Sequence, residues 1–191
     1  MKSIVLAGGP CSGKTDVLNY IKKNGLNIGF DKVVCVSEMA ENILKRNPTI
    51  RHDPWNFQIA VFYSQLQTEE MFRSTYENTK TLIVYDRGLA DARVYLGSLF
   101  GFFETNNSMS YDEMLNRYDA VYLLESAVSS SLYRKTDIRT ESTKEADFLN
   151  AKAIETWSKH PRCYFIEATD TPEEKVMNVV DTITRTFKDW I

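Results

Sequence analysis

The sequence predicts a three-layer α/β fold, in which a five-stranded parallel sheet is covered by helices on both faces. Two observations predict it: the 191 residues contain five short apolar runs, and segments with helical periodicity separate these runs. The runs lack the apolar–polar alternation of strands that face water on one side, which is typical of parallel strands buried on both faces. The predicted strands cover residues 2–7, 33–36, 81–85, 120–124 and 163–166.

Helices follow the first two strands directly. Residues 16–21 place apolar side chains on one helical face, and another helix begins near Glu38. The longest predicted helix covers residues 54–78, with Asp53 as its N-cap. Pro54 is tolerated at the first helical position because the N–H group that proline lacks would be unpaired there.

The later strands also end at polar residues. The third strand ends at Asp86 and the fourth at Glu125. The last helix begins at Thr171, where Glu174 completes a capping box. Residues 104–110 form the most polar irregular stretch, and we expect them to be a surface loop.

The order of strands and helices predicts where a ligand binds. In open parallel sheets, ligands bind beyond the carboxyl ends of the strands. We therefore expect the residues that follow the five strands to share one rim of the sheet and to surround the ligand. They are residues 8–15, Glu38, Asp86 with Arg87, Glu125, and residues 168–170, which include Thr169.

The segment after the first strand matches a phosphate-binding loop (P-loop), whose pattern is a glycine, four free positions, then Gly13, Lys14 and Thr15. Glycines let backbone N–H groups face a phosphate, and the next helix directs its positive dipole end at the anion. Lys14 supplies a charge for the β- and γ-phosphates, and Thr15 a hydroxyl for Mg²⁺. The alternative is a plain strand-to-helix turn, which the complete motif disfavours. The predicted nucleotide-binding residues are Gly8, Gly9, Pro10, Cys11, Ser12, Gly13, Lys14, Thr15 and Thr169.

Asp86 and Arg87 are the predicted catalytic pair. A carboxylate at a strand end beside a phosphate loop can hold the Mg²⁺ water shell or accept a proton from an attacking hydroxyl. Arg87 can bind a phosphate or another anion with two hydrogen bonds. The alternative is an N-cap aspartate with a surface arginine. Glu125 also ends a strand and competes for the carboxylate role, and we rank it second.

A basic segment follows the fourth strand. Arg134 and Arg139, with a lysine between them, lie on a predicted helix and its exit. Arginines on a mobile lid can stabilise the charge that develops on a transferred phosphoryl group, so we predict a lid over residues 126–141 with both arginines in catalytic roles. The alternative is a solvated helical face paired with Asp137 and Glu141.

Four residues are predicted to contact the substrate: Arg87, Glu38, Trp55 and Gln58. Glu38 can accept hydrogen bonds from sugar hydroxyls, or it can simply stabilise the helix that begins there. In the long helix, Trp55 and Gln58 share a face with Phe62 and Gln65. Aromatic and amide groups suit a planar heterocycle, whereas an aromatic stripe alone is more often part of a core.

Composition limits the class of protein. The net charge of −3 gives no support for broad nucleic-acid binding. No segment has the apolar length of a membrane span, and Met1 leads into the first strand without a signal-peptide pattern, so we expect a cytoplasmic protein of one domain. The three cysteines lack metal-site spacing; Cys35 and Cys163 are expected to be buried, and Cys11 to be a small loop residue.

The motifs resemble those of P-loop nucleoside and nucleotide kinases. The chain is most similar to the small ATP-binding "AAA domain" family related to the ribosylnicotinamide kinase domain. Deoxynucleoside kinases are more distant, with an acid–arginine pair where Asp86 and Arg87 stand and a glutamine where Gln58 stands. The resemblance implies a five-stranded sheet with an ATP site. The segments that carry it are GGPCSGKT, EMAENIL, QIAVFYSQ, YDRGLADARVY and RTESTKEADFLNAKAIETW.

These observations predict an ATP- and Mg²⁺-dependent kinase that phosphorylates a small nucleoside-like acceptor. ATP is preferred over GTP because the sequence has no Asn-Lys-x-Asp motif. Two alternatives stay open: a regulatory NTPase that switches with its nucleotide, and a kinase of nucleic-acid ends. The sequence also leaves the oligomeric state open, a homodimer included.

Overall fold

Five parallel strands form one sheet in the computed structural model, which describes residues 1–26, 28–126 and 143–188. The strand order is β2-β3-β1-β4-β5, and every neighbouring pair is parallel. The predicted fold class is therefore confirmed. The strands are β1 (Lys2–Ala7), β2 (Lys32–Val36), β3 (Thr81–Asp86), β4 (Ala120–Leu124) and β5 (Cys163–Ile166).

Eight α-helices lie in the described part of the chain. The long helix starts as predicted, because the Asp53 side chain accepts a hydrogen bond from the backbone N–H of Asn56. The last helix also starts as predicted, since Thr171 Oγ1 accepts from the backbone N–H of Glu174. The helices are α1 (Lys14–Asn24), α2 (Met39–Arg46), α3 (Pro54–Tyr76), α4 (Asp91–Leu96), α5 (Phe100–Asn107), α6 (Tyr111–Leu115), α7 (Thr143–Trp157) and α8 (Pro172–Lys188).

The prediction of a surface loop at residues 104–110 is wrong for residues 104–107. Helix α5 continues to Asn107, and Ser110 then caps α6 in a capping box with Glu113. The helix is possible because buried Phe100 and Phe103 attach it to the core, while its polar end faces solvent. Packing has overridden a weak local pattern here.

Each face of the sheet carries its own apolar core. In β1, Val5 and Ala7 belong to one core and Ile4 and Leu6 to the other, as the two-residue period of a strand requires. Residues from α3, α4, α5 and α7 complete the first core, and residues from α1 and α8 complete the second. The sheet is therefore buried on both sides, which leaves its carboxyl rim as the exposed place for chemistry. Among the described helices, none has both the length and the apolar character that a membrane crossing requires.

Candidate functional site

A cavity of about 690 Å³ runs along the carboxyl rim of the sheet. The strand order fixes its layout: Glu38 follows β2, Asp86 follows β3, the predicted phosphate loop follows β1, Glu125 follows β4, and Thr169 follows β5. Glu38, Arg87, Glu125, Thr169 and most of the loop line this cavity, whereas Asp86 is buried and is not among its lining residues. The structure thus brings the described rim residues together, with the loop at the centre and one subsite on each side. After the ligands that the sequence predicts there, we call the side over β2 and β3 the acceptor side and the side over β4 and β5 the base side.

The loop backbone has the turns that the motif predicts. Gly8 has a φ of 138°, Cys11 of 57° and Gly13 of 87°. At Gly8 a Cβ atom would stand 2.3 Å from the carbonyl oxygen of Leu124, so glycine is required there for both conformation and space. Helix α1 begins at Lys14, directly after these turns. Its first N–H groups therefore face the cavity.

Lys14 is buried at the mouth of the loop. Its ammonium donates to the carbonyl oxygens of Gly8 (3.0 Å) and Gly9 (2.8 Å) and to Ser12 Oγ (2.9 Å). Burial, and secondarily the charge of Arg87, lowers the pKa of Lys14 to about 8. Lys14 is therefore a desolvated cation, and its ammonium lies where it would contact a phosphate bound in the loop.

Helix α7 packs directly against the loop. The Ser126 hydroxyl donates to the carbonyl oxygen of Pro10, and the backbone N–H of Ser126 donates to Asn150 Oδ1 at 3.2 Å. At Gly9 a Cβ atom would stand 2.7 Å from the Cα and the Cβ of Asn150. Gly9 therefore allows a close approach between loop and helix.

We expect Gly9→Ala to lower the melting temperature, because the new methyl group overlaps α7 and overpacking costs about 1–3 kcal/mol. Gly101→Ala is the matched control, since a Cβ there meets no atom within 4 Å and alanine favours the interior of α5. Thermal unfolding followed by circular dichroism measures both. Equal melting temperatures in the two variants would contradict the close approach.

Asp86 faces Thr15 across the centre of the rim. Thr15 Oγ1 donates to Asp86 Oδ2 at 3.4 Å, and Asp86 is only 3% exposed. Its other oxygen, Oδ1, is buried and has no hydrogen-bond partner among the described residues. Burial raises the pKa of the Asp86 carboxyl above its usual value, and the nearby Lys14 ammonium partly offsets this effect. An orphaned carboxylate oxygen beside a hydroxyl and a phosphate loop fits a hydrated Mg²⁺ ion.

Arg87 links two acidic side chains and the loop. Its Nε lies 2.9 Å from Glu38 Oε1, and one terminal nitrogen lies 3.4 Å from both Asp91 Oδ1 and the carbonyl oxygen of Gly8. Burial opposes its charge, but Glu38 and its other acidic neighbours raise the pKa of Arg87 well above the usual value. The residue has a φ of 75°, a conformation that a non-glycine residue adopts at an energetic cost.

Sequence reasoning missed Asp91, which is buried and also accepts from the backbone N–H of Gly88 at 3.0 Å. Burial raises the pKa of this carboxyl too. A signal was present, because an acid four residues after Arg87 can pair with it on a helical turn.

The acceptor side is a slot with polar and apolar walls. Gln58 and Gln65 both line it and are buried, as their predicted shared face requires. The apolar wall was only partly foreseen and consists of Met39, Leu44, Phe57, Val61, Phe62 and Tyr95.

Trp55 stands apart from this slot. It is not among the residues that line the cavity, and its ring packs 5.4 Å from Phe102 and 6.2 Å from Phe103 between centroids. Trp55 therefore does not lie in the slot where its substrate contact was predicted. Phe57 supplies an aromatic wall there instead.

The base side is built by the ends of β4 and β5. Glu125 Oε2 accepts from the backbone N–H of Ala168 at 2.8 Å, and Thr169 Oγ1 donates to the carbonyl oxygen of Thr171. Lys175 was not predicted: its buried ammonium donates to the carbonyl oxygens of Glu125, Ile166 and Glu167. Burial lowers the pKa of Lys175 to about 8. These bonds hold the two strand ends together beside the loop.

The predicted lid arginines, Arg134 and Arg139, lie outside the described residues, as does all of the predicted lid except Ser126. Their proposed roles stay predictions from the sequence.

Comparisons with known proteins agree with this fold. Residues 3–175 match the model of a family described as "AAA domain". Among solved structures, the fold is similar to that of deoxyadenosine kinase from M. mycoides with bound dATP. That match has a TM-score of 0.65 and 13% sequence identity, and it covers 95% of this chain and 98% of the other. The likeness shows a shared P-loop kinase-like fold. No curated protein has a sequence that matches this chain.

Proposed function

This chain belongs to the AAA-domain family, and from that premise we propose that it is an ATP-dependent kinase that phosphorylates a hydroxyl of a small nucleoside-like acceptor. The observation that carries the proposal is the continuous cavity, which joins the phosphate loop to a slot with both amide and aromatic walls. A regulatory NTPase needs the loop but has no use for such a slot. The nucleotide bound by the structurally similar kinase supports the choice of a nucleoside triphosphate.

The loop would hold the triphosphate. Its N–H groups and the start of α1 stabilise the negative phosphates, and Lys14 exchanges its bonds to Gly8, Gly9 and Ser12 for bonds to phosphate oxygens. Thr15 and Asp86 would hold Mg²⁺, which supplies positive charge to the phosphates when it is bound. Such a site needs no cluster of three acidic, histidine or cysteine ligands, and the described residues contain none.

Asp86 and Arg87 would carry out the transfer. The acceptor hydroxyl forms a bond to the γ-phosphorus, the bond from that phosphorus to the bridging oxygen of ADP breaks, and Asp86 accepts the hydroxyl proton. The position of Asp86 suits this role, because its carboxylate lies at the end of β3 within hydrogen-bond distance of Thr15, beside the phosphate loop. Arg87 stabilises charge on the transferred group, and its ion pair with Glu38 positions both residues.

The experiment is a coupled assay of ADP release with Mg²⁺ and ATP, run with and without each member of a nucleoside panel that includes nicotinamide riboside. We expect at least one acceptor to raise ADP release and to appear as a monophosphate by mass spectrometry. Removal of Mg²⁺ with EDTA should abolish both signals. ATP hydrolysis that no acceptor stimulates, with no phosphorylated product, would contradict the kinase and support the regulatory NTPase.

The pH dependence of ATP binding tests Lys14. Because burial lowers its pKa to about 8, the neutral form becomes common above that pH, and only the protonated form attracts phosphate. We expect the affinity for ATP, measured by calorimetry, to fall by up to about tenfold per pH unit above pH 8. The same shift should make the free energy of unfolding rise between pH 8 and 10.5, since the unfolded chain there holds the proton more tightly than the fold does.

Lys14→Met is the control for this pH series, since it removes the titrating group. The weak ATP affinity that remains in this variant should not change with pH. The same slope in that variant would assign the titration to another group, and the buried Lys175 on the base side would be the first to examine.

A further inference from the structure

A buried polar network lies beneath the acceptor slot. Its centre is Glu69 on α3, which is 4% exposed. Glu69 Oε1 accepts from Gln65 Nε2 at 2.9 Å and from the Tyr118 hydroxyl at 2.6 Å, and Glu69 Oε2 pairs with Arg117 Nε at 2.7 Å. Both carboxylate oxygens are therefore engaged, and every group around them donates.

This arrangement fixes the orientation of the Gln65 amide. A carboxylate paired with an arginine accepts hydrogen bonds and donates none, so it must face the NH₂ group of Gln65 and never its oxygen. The Gln65 oxygen then remains as the other end of the amide. This oxygen accepts no hydrogen bond from the described residues. It is also not among their polar side-chain atoms that are both inaccessible to solvent and without a partner, so it is accessible, and Gln65 lines the cavity. The slot thus receives a fixed hydrogen-bond acceptor.

Tyr118 connects the network to the segment between β3 and α4. Its hydroxyl donates to Glu69 and accepts from the backbone N–H of Leu89 at 2.7 Å. Burial and the Glu69 carboxylate raise the pKa of Tyr118 well above its usual value, so the hydroxyl stays a donor. Leu89 lies two residues after Arg87 and also lines the cavity. These hydrogen bonds hold the Glu69 and Tyr118 side chains in place, and Glu69 in turn holds the Gln65 amide.

Gln58 differs from Gln65 in this respect. It lines the same slot two helical turns earlier, and the described residues offer its side chain no hydrogen-bond partner. Its amide can rotate to present either its oxygen or its NH₂ group. The slot therefore combines one adaptable amide with one of fixed direction.

We propose that Glu69 is a positioning residue that holds the Gln65 oxygen toward the acceptor slot, so that the acceptor must be a nitrogen heterocycle with an N–H donor at its edge. The inference rests on the proposed kinase function and deepens it, since it names the class of ring that the slot selects. The apolar wall with Phe57 and Phe62 contacts the ring faces, and Gln65 reads its edge. A ring without that donor would leave the Gln65 oxygen buried and unpaired, which is costly.

The test compares ligands that differ in one donor: adenosine against purine riboside, and cytidine against 4-deaminocytidine. Dissociation constants are measured by calorimetry in the presence of Mg²⁺ and a non-hydrolysable ATP analogue. In the wild type, we expect loss of the donor to weaken binding by at least about tenfold in the pair that binds more tightly. Equal affinities in both pairs, or no binding of either parent nucleoside, would overturn the inference.

Glu69→Gln tests the positioning step. The new amide can donate to the Gln65 oxygen, so Gln65 can turn its NH₂ group toward the slot, and the preference should fall below about threefold. Glu70→Gln is the matched control, because Glu70 is another carboxylate paired with Arg117 but does not bond Gln65. It should keep the wild-type preference. An unchanged preference in Glu69→Gln would overturn the proposed role of Glu69.

Gln65→Met covers the case in which Glu69→Gln fails to fold, because methionine fills similar volume without a polar group. The preference for the donor should again disappear, and its retention would overturn the inference. Binding of the ATP analogue, measured by calorimetry on the same protein samples, distinguishes failure of the ring preference from failure of the kinase proposal. If the analogue binds and the nucleoside pairs do not differ, the ring preference fails while the kinase stands; if the analogue does not bind, the kinase itself fails.

Discussion

Replacing Asp86 with asparagine should lower kcat by about 10²- to 10⁴-fold, the usual cost of removing a general base. The side chain keeps its shape, but an amide takes up the acceptor's proton far less readily. The melting temperature should not fall, because burial raises the pKa of Asp86 and the charged form is thus disfavoured by the fold. Acceptor-dependent ADP release and thermal unfolding, measured on the same preparation, check both expectations.

Glu125→Gln is the matched control for Asp86→Asn. Glu125 also ends a strand and lines the cavity, but its Oε2 accepts from the backbone N–H of Ala168. A glutamine oxygen can accept the same hydrogen bond. Because the variant retains this bond, we expect kcat to stay within about threefold of the wild type. A crippled Glu125→Gln beside a nearly normal Asp86→Asn would reverse the two roles.

The sheet could be predicted because its strands are unbroken apolar runs. Residues 81–85 and 120–124 carry enough apolar side chains to require burial on both faces, and the structure buries all of them. The layout of the rim then followed from a topological rule, since parallel strands all end at the same edge. No comparable rule exists for α4, α5 and α6, whose short sequences have little periodicity and form helices through contacts with the core.

The site was predicted less evenly than the fold. The phosphate loop is a local motif, so all of its residues are visible in the sequence. Lys175 could not be found, because the carbonyl oxygens that it bonds belong to residues 8, 9 and 50 positions away. Trp55 and Gln58 lie three residues apart, and helical periodicity groups them, yet only the packing of Trp55 against Phe102 shows that its ring points elsewhere.

Lys14→Met should reduce the affinity for ATP by about ten- to a hundredfold, since a charge-assisted hydrogen bond contributes about 1.5–3 kcal/mol. It should also reduce kcat, because the same ammonium stabilises charge on the transferred phosphate. The fold should survive: burial lowers the pKa of Lys14, which means that the protonated side chain costs the folded state free energy below pH 8. We therefore expect a melting temperature at pH 7 that is unchanged or higher.

This combination separates a binding role of Lys14 from a structural one. Lys14 and Ser12 line the cavity, so we expect water from the cavity to replace the ammonium that bonds Gly8 O, Gly9 O and Ser12 Oγ. A structural lysine would lose melting temperature and ATP affinity together. A phosphate-binding lysine loses affinity alone, and calorimetry showing wild-type affinity in Lys14→Met would remove the loop from the proposed mechanism.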